Sequence, residues 1–265
     1  MRLPAVPGSQ AALAVAHPGH ELRVHGWLER ARPTVFVLTD GSGRSGQSRL
    51  GSTTHVLARA GAEPGSIYGL LTDRALYAAI LNGDVNLFFG LVDQLADALR
   101  RKRVEYVVGD AAEGRILAHD VWRLVINAAV GIVNRAQNNQ VSNYDYLVVS
   151  RPDDCSNAPP ATLICIRLND EAFARKLGAA RGYPEVADEA EETLKEMEIE
   201  AFRVEWLRLV DGWDECQAPT HEPPEYERHG EQRVAAGHYE RVIRYREHVL
   251  PLAEALRRYL GRSDP

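Results

Sequence analysis

The sequence predicts an α/β chain: a three-layer, Rossmann-like fold with a mostly parallel sheet and a helical C-terminal region. Three observations carry that expectation. Short, almost wholly apolar runs such as Thr34–Thr39 (TVFVLT) recur along the first two thirds of the chain, and strands covered on both faces read as continuous apolar runs. Segments of helical period lie between them, so the strands are joined by crossovers and run parallel. The chain has 265 residues, 45% of them hydrophobic, enough for one large core with or without a small appendage.

The expected strands are Leu13–Ala16, Thr34–Thr39, Ile67–Leu71, Val104–Val108 (VEYVV), Tyr146–Val149 and Thr162–Leu168. Helical period appears over Glu21–Ala31, Asp84–Arg101 and Asp120–Asn134, the last placing Val121, Leu124, Val125, Ala128 and Ile132 on one face. Past residue 169 the pattern changes. Asp170–Arg181 and the acidic Glu185–Val210 read as helices, with Met197, Phe202, Trp206 and Leu209 as a packed stripe in the second. A polar loop then leads to a final helix over Val234–Leu260, with Val242, Tyr245, Val249, Leu252 and Leu256 toward the core. Residues 1–168 are therefore expected to form the α/β core that carries the site. Residues 169–265 form a helical extension packed on the same domain and placed to act as a lid.

Charge and composition exclude several classes. A net charge of −6 and a pI near 5.9 provide no basic field for nucleic acid or an anionic membrane. The basic run Arg100–Arg103 reads as a solvated helix end. No run approaches the ~20 apolar residues that span a bilayer. The opening MRLPAVPGSQAALAVA faintly imitates a signal peptide, but Pro4, Pro7, Gly8 and Gln10 interrupt it and cleavage would remove the first strand. Cys155, Cys165 and Cys216 form no CxxC pair and are odd in number, which fits a reducing compartment. The chain reads as cytoplasmic, with a small polar substrate as its partner and a homo-oligomeric state compatible with the sequence.

The chemistry centres on His17-Pro18-Gly19-His20-Glu21 at the end of the first strand. In open α/β sheets, ligands sit beyond the carboxyl ends of the strands. Two imidazoles three apart at a strand-to-helix turn can aim at one ion, and a third ligand leaves a position open for water. His119, at the mouth of the helix after Val104–Val108, is the candidate third ligand. The plainer alternative is three surface histidines beside helix ends.

AVAHPGHE followed by PTVFVLTDGSG resembles the opening of the LmbE/PIG-L-like N-acetylglucosaminyl deacetylase superfamily, which reads Ala-His-Pro-Asp-Asp-Glu at the end of strand one. ILAHDVWR resembles a reduced form of the family's later His-Pro-Asp-His signature, and the likeness covers roughly residues 11–135. The resemblance implies a zinc site in which His17 and His119 keep ligand positions and His20 replaces a ligand Asp. It also implies two losses. The family's general base falls on Gly19, and the other histidine of the later signature falls near Ile116.

Replacement acid–base groups are sought at strand ends. Asp40 closes the second strand, Asp110 closes the strand before His119, and Glu113 lies between Asp110 and His119 in sequence. Asp40 reads equally well as a turn cap ahead of Gly41, and Asp120 as a helix cap. Glu21 reads as a group that orients a ligand imidazole. Gly41-x-Gly43-x-x-Gly46 imitates a dinucleotide fingerprint, but no helix is evident at Gly46 and the next strand-closing acid, Asp73, lies roughly 27 residues on against the usual ~20. The loop is instead expected at the crevice rim, with Ser42, Arg44 or Ser45 touching a polar substrate. His221, Tyr226, Arg233 and His238 are candidate lid contacts, whereas Arg244 and His248 read as solvated helix positions.

The expected function is metal-dependent hydrolysis of an amide, and the resemblance points to an N-acyl amino sugar. The alternatives are a sugar or nucleotide-sugar binding member without turnover, or different metal chemistry at the altered site.

Overall fold

A computed structural model of the chain describes residues 10–43, 45–136, 140–157, 162–210 and 222–262. A seven-stranded sheet runs through its centre in the order β3-β2-β1-β4-β5-β7-β6. The strands are β1 (Ala11–Val15), β2 (Thr34–Thr39), β3 (Glu63–Leu71), β4 (Tyr106–Asp110), β5 (Ser142–Tyr146), β6 (Leu163–Arg167) and β7 (Val204–Leu209). The first five pair in parallel, while β7 lies antiparallel to both β5 and β6. The three-layer, mostly parallel α/β architecture expected from the sequence is the one found.

Two buried layers flank the sheet because successive side chains of a strand point to opposite faces. Ala12, Ala14 and Ala16 enter the layer built by α4 (Val85–Arg101), α5 (Leu117–Ala136) and α9 (Leu250–Arg262). Ala11, Leu13 and Val15 enter the opposite layer with α1 (His25–Ala31), α2 (Leu50–Ala60) and α6 (Asp170–Arg181). Small side chains on one face of β1 let α5 lie close to the sheet, and Trp122 of α5 and Trp27 of α1 are fully buried on either side. Each fully buried Leu or Phe in such a layer contributes about 1.5–3 kcal/mol.

Four expectations need correction. Glu185–Val210 is not one helix: α7 (Ala187–Glu196) ends, Glu198 takes φ 64°, and the chain continues into β7. The C-terminal segment therefore builds the sheet as well as covering it. Glu205 disguised this strand, because it places a carboxylate at an inward position. There it accepts the Gly26 and Trp27 N–H groups at 2.8 and 2.7 Å, capping α1, and meets Lys176 Nζ at 2.9 Å. Lys176 also donates to the Arg23 carbonyl at 2.6 Å, so the buried pair is well hydrogen-bonded.

Val234–Leu260 is likewise interrupted. The helix α8 (Glu225–Ala235) stops before Gly237, and a π turn at Tyr245–Val249 precedes α9. Pro251 has no N–H to donate to the carbonyl four residues back, so an ordinary helical turn there is disfavoured. Two helices were missed: α2, whose Ser/Thr-rich start masks Thr53, Val56, Leu57 and Ala60 on its buried face, and α3 (Asp73–Leu81), capped by Thr72 Oγ1 accepting the Ala75 N–H at 3.1 Å. The fifth strand sits at 142–146, earlier than the expected Tyr146–Val149.

Candidate metal centre

Strand order positions the site. The chain leaves β1 toward β2 on one side, and β4 lies on the other, so the loops after β1 and β4 flank the point where the sheet order reverses. His17 and His20 follow β1. Asp110 ends β4, and His119 occupies the first turn of α5. Gly19 turns the chain between the two histidines with φ +103°, a region L side chains rarely adopt. Its N–H is accepted by Glu21 Oε2 at 2.8 Å, and its carbonyl accepts the Leu22 N–H at 3.2 Å. This tight turn brings both rings back to one place. The ring centroids of His17 and His20 are 5.3 Å apart, those of His17 and His119 5.5 Å, and those of His20 and His119 4.5 Å.

Two of the imidazoles are held from behind. His17 Nδ1 lies 2.9 Å from Thr39 Oγ1 and 3.1 Å from Asp73 Oδ1. His20 Nδ1 lies 2.8 Å from Asp110 Oδ2. Thr39 Oγ1 donates to the Ala16 carbonyl at 3.2 Å and so accepts from His17, and the Asp110 carboxylate only accepts, so each Nδ1 carries the proton and each Nε2 keeps a lone pair. His119 is different: it is buried, and neither ring nitrogen has a hydrogen-bond partner among the described residues. Burial and the neighbouring His20 push its pKa well below that of a free histidine, and burial lowers that of His17. Both rings are therefore neutral, the form that ligates metals.

Asp110 is wholly buried. Burial works to raise its carboxyl, but His20 and the Ala16 N–H, donating at 2.7 Å, hold it well below the usual carboxylate range. Tyr146 Oη donates to its other oxygen at 3.1 Å. For Asp73, burial is likewise outweighed by His17 and by the Gly43 N–H, which donates to Oδ2.

The donor set suits a divalent metal. Among the described residues, ligand atoms of His20, Asp110 and His119 all lie within 4.8 Å of one another, with the His17 ring beside them. An unpartnered, buried, neutral imidazole such as His119 is a costly arrangement unless a ligand completes it.

The other sequence-derived candidates have different surroundings. Asp40 Oδ1 accepts the Ser42 N–H at 3.0 Å and its carbonyl the Arg49 N–H at 2.8 Å, so Asp40 shapes the loop after β2. Glu113 accepts three successive backbone N–H groups, from Val148 and Val149 on Oε1 and Ser150 on Oε2, at 2.7–2.9 Å. That clamp ties the β4–α5 loop to the segment after β5 and leaves Glu113 little capacity for proton transfer. Glu21 is buried and holds the Gly19 turn; no hydrogen bond joins it to an imidazole among the described residues. Ile116, where the resemblance would place a second histidine, packs against the core.

Gly41, Gly43 and Gly46 all take positive φ in a loop, and a β-carbon at Gly41 would stand 2.8 Å from Pro18 Cδ. The Gly-rich segment thus fits against the histidine motif, and α2 opens only at Leu50. Ser42 is buried, Ser45 donates to its carbonyl, and Arg44 and His221 lie outside the described residues. Tyr226 is buried and its N–H reaches the Gly114 carbonyl of the β4–α5 loop at 3.3 Å. Arg233 lies over the Tyr239 ring, and His238 is exposed.

Sequence reasoning missed Asp73 and Thr39 behind His17, Tyr146 behind Asp110, and Tyr183 beside Gly19. Asp73 follows the carboxyl end of β3, so the strand-end logic applied to Asp40 reaches it too. Tyr183 bonds Thr53 Oγ1 at 2.8 Å and donates to the Arg49 carbonyl at 3.0 Å. Nothing local in the sequence marks it.

Comparison with known proteins places this architecture. No family profile matches the chain, and no curated protein does. Among solved structures, the zinc-inhibited form of teicoplanin deacetylase Orf2 aligns over 76% of this chain and 98% of its own, at 11% identity and a TM-score of 0.51. The A40926 pseudoaglycone deacetylase Dbv21 aligns over 76% and 97%, at 14% identity and 0.52. The conserved protein TT1542 from Thermus thermophilus aligns over 77% and 95%, at 17% identity and 0.55. The chain therefore shares the fold of the two deacetylases and of TT1542, the α/β architecture that the sequence predicts. Among the described residues, no helix is long and apolar enough to cross a membrane.

Proposed function

We propose that the chain is a divalent-metal-dependent amide hydrolase acting on an N-acyl amino sugar or a related polar metabolite, with zinc as the metal. The observation that carries this reading is the convergence of His17, His20 and His119 at the switch point of a deacetylase fold. Neutral imidazoles suit zinc among the common divalent ions. The substrate class rests on the resemblance and on the deacetylases that share the fold.

When bound, the metal polarises a carbonyl and lowers the pKa of water to about 7. The chain's own residues do the rest. His17 and His20 present Nε2, because Thr39 and Asp110 occupy Nδ1. The buried walls around His119 exclude bulk water. Asp110 stays ionised and receives hydrogen bonds on both oxygens, so it orients groups more readily than it takes a proton.

A second reading, binding without turnover, is favoured by a specific observation. Gly19 has no side chain, Ile116 packs against the core, and Asp40 and Glu113 serve loops, so the ordinary acid–base groups are missing.

Metal analysis and a panel of N-acetylated amino sugars separate the readings. Purified protein is expected to carry about one zinc per chain, His119→Ala to lose it, and the panel to release amine. A wild-type chain with no affinity for added zinc would refute the metal centre. A zinc-loaded chain that binds sugars and releases no amine supports the second reading.

A further inference from the structure

We propose that Asp110 and Asp73 are positioning residues that commit Nε2 of His20 and His17 to the metal. In this role Asp110 restores, behind the ligand, the negative charge that a carboxylate at position 20 would have placed on the metal itself. The inference rests on the metal centre proposed above. Its geometry is the pair of contacts at Nδ1: Asp110 Oδ2 at 2.8 Å from His20, and Asp73 Oδ1 at 3.1 Å from His17. Asp110 is hydrogen-bonded to His20, Asp73 stands as a charged neighbour of His17 whose Nδ1 bonds Thr39 Oγ1, and His119 has neither.

Asp110 is itself fixed. The Ala16 N–H donates to the same oxygen as His20, the Tyr146 hydroxyl donates to the other, and the Asp110 carbonyl accepts from Arg123 Nε at 2.6 Å. Arg123 is wholly buried and also donates to Asn143 Oδ1 and the Tyr144 carbonyl. The carboxylate is therefore held between β1, β4 and β5, with the His20 ring bonded to it. A carboxylate behind a ligating imidazole fixes the tautomer and raises ligand basicity. A metal-ligating imidazole carries no charge, so putting one where a carboxylate ligand would stand otherwise leaves the site one charge more positive.

A double-mutant cycle on metal affinity tests this. Metal-free wild type, Asp110→Asn, His20→Asp and the double variant are titrated with Zn2+ or Co2+ against a chromophoric chelator. In the wild-type background Asp110→Asn is expected to weaken binding 10–100-fold, the usual loss for such a partner. In the His20→Asp background there is no Nδ1–H to receive, and Asp110→Asn is expected to change affinity about two-fold or less, so the cycle shows the two positions to be strongly coupled. Asp73→Asn is expected to act through His17 and to weaken binding in both backgrounds.

Equal losses from Asp110→Asn in both backgrounds would show that Asp110 ligates the metal directly and overturn the proposal. So would metal binding unaffected by Asp110→Asn in the wild-type background. Failure of the wild type to bind metal would instead overturn the metal centre and the proposal with it. Should Asp110→Asn not fold, nitrogen NMR of the metal-free wild type decides: His20 is expected as the Nδ1–H tautomer, and the Nε2–H tautomer would overturn the assignment.

Discussion

Replacing Gly19 by Asp tests whether a carboxylate at this point of the turn can serve as a proton-transfer group. A β-carbon at residue 19 would meet Val186 Cγ1 at 3.8 Å and the Tyr183 ring and hydroxyl at 3.9–4.0 Å, ordinary van der Waals contacts. The cost is therefore in the backbone, because φ is +103°, and is about 1–2 kcal/mol for an L residue in the left-handed region. For a chain of this size that lowers Tm by roughly 2–8 °C. A positioned proton acceptor typically adds ~10²–10⁴-fold, equivalent to about 3–5 kcal/mol off the barrier. The kinetic gain exceeds the stability cost, so Gly19→Asp is expected to melt a few degrees lower and release amine faster, at unchanged zinc content. Thermal melts, metal analysis and initial rates on N-acetylated amino sugars read the three quantities. A folded, zinc-loaded variant with an unchanged or slower rate would refute the reasoning that position 19 faces the reacting centre.

Three further outcomes follow from the structure. Glu205→Gln leaves the buried Lys176 ammonium without its counter-charge and is expected to cost about 3–5 kcal/mol in denaturant unfolding; a loss below about 1 kcal/mol would contradict the pairing. Glu113→Gln keeps one acceptor and faces an amide group toward a backbone N–H, which should cost about 1–3 kcal/mol while turnover of the folded variant changes little; a fall in rate of about a hundred-fold with the fold intact would restore Glu113 to the chemistry. Burial pushes the Asp120 carboxyl up to about 7, so the folded state binds this proton more tightly than the unfolded chain. Its ionised form therefore weakens the fold progressively as pH rises from about 4 to about 7. Asp120→Asn keeps the acceptor for the Glu113 and Gly114 N–H groups. Its Tm advantage in chelator-treated protein is expected to be absent near about pH 4 and full above about pH 7. An advantage that is the same at both pH values would count against the burial effect.

The first half of the chain was legible because its signals are local. Apolar runs of strand length, helical period in 120–134, and a histidine pair where a strand stops are visible within a few residues of one another. The core of the candidate site was legible for the same reason, since strand-end residues in a parallel sheet share one edge. What was hidden depends on distant partners. Glu205 looks like a helix-surface charge until Lys176 and the start of α1 are beside it, so β7 was read as helix. Glu113 looks like a spare acid until residues 148–150 turn their N–H groups onto it. Tyr183 stands against Gly19 only because the C-terminal segment folds back over the turn, and no spacing in the sequence records that.

The place of β7 in the sheet also has a consequence for how the molecule is made. As synthesis proceeds, β1 to β5 can assemble in parallel while β6, already present, has no sheet neighbour, because its pairing runs through β7 alone. Until residues 204–209 emerge, β5 is an open edge able to accept a strand from another chain. Closing that gap brings together positions such as Tyr144 and Leu209, a long-range pairing of the kind that slows folding. Among the described strands, the last in chain order is thus the one that joins β6 to the rest of the sheet.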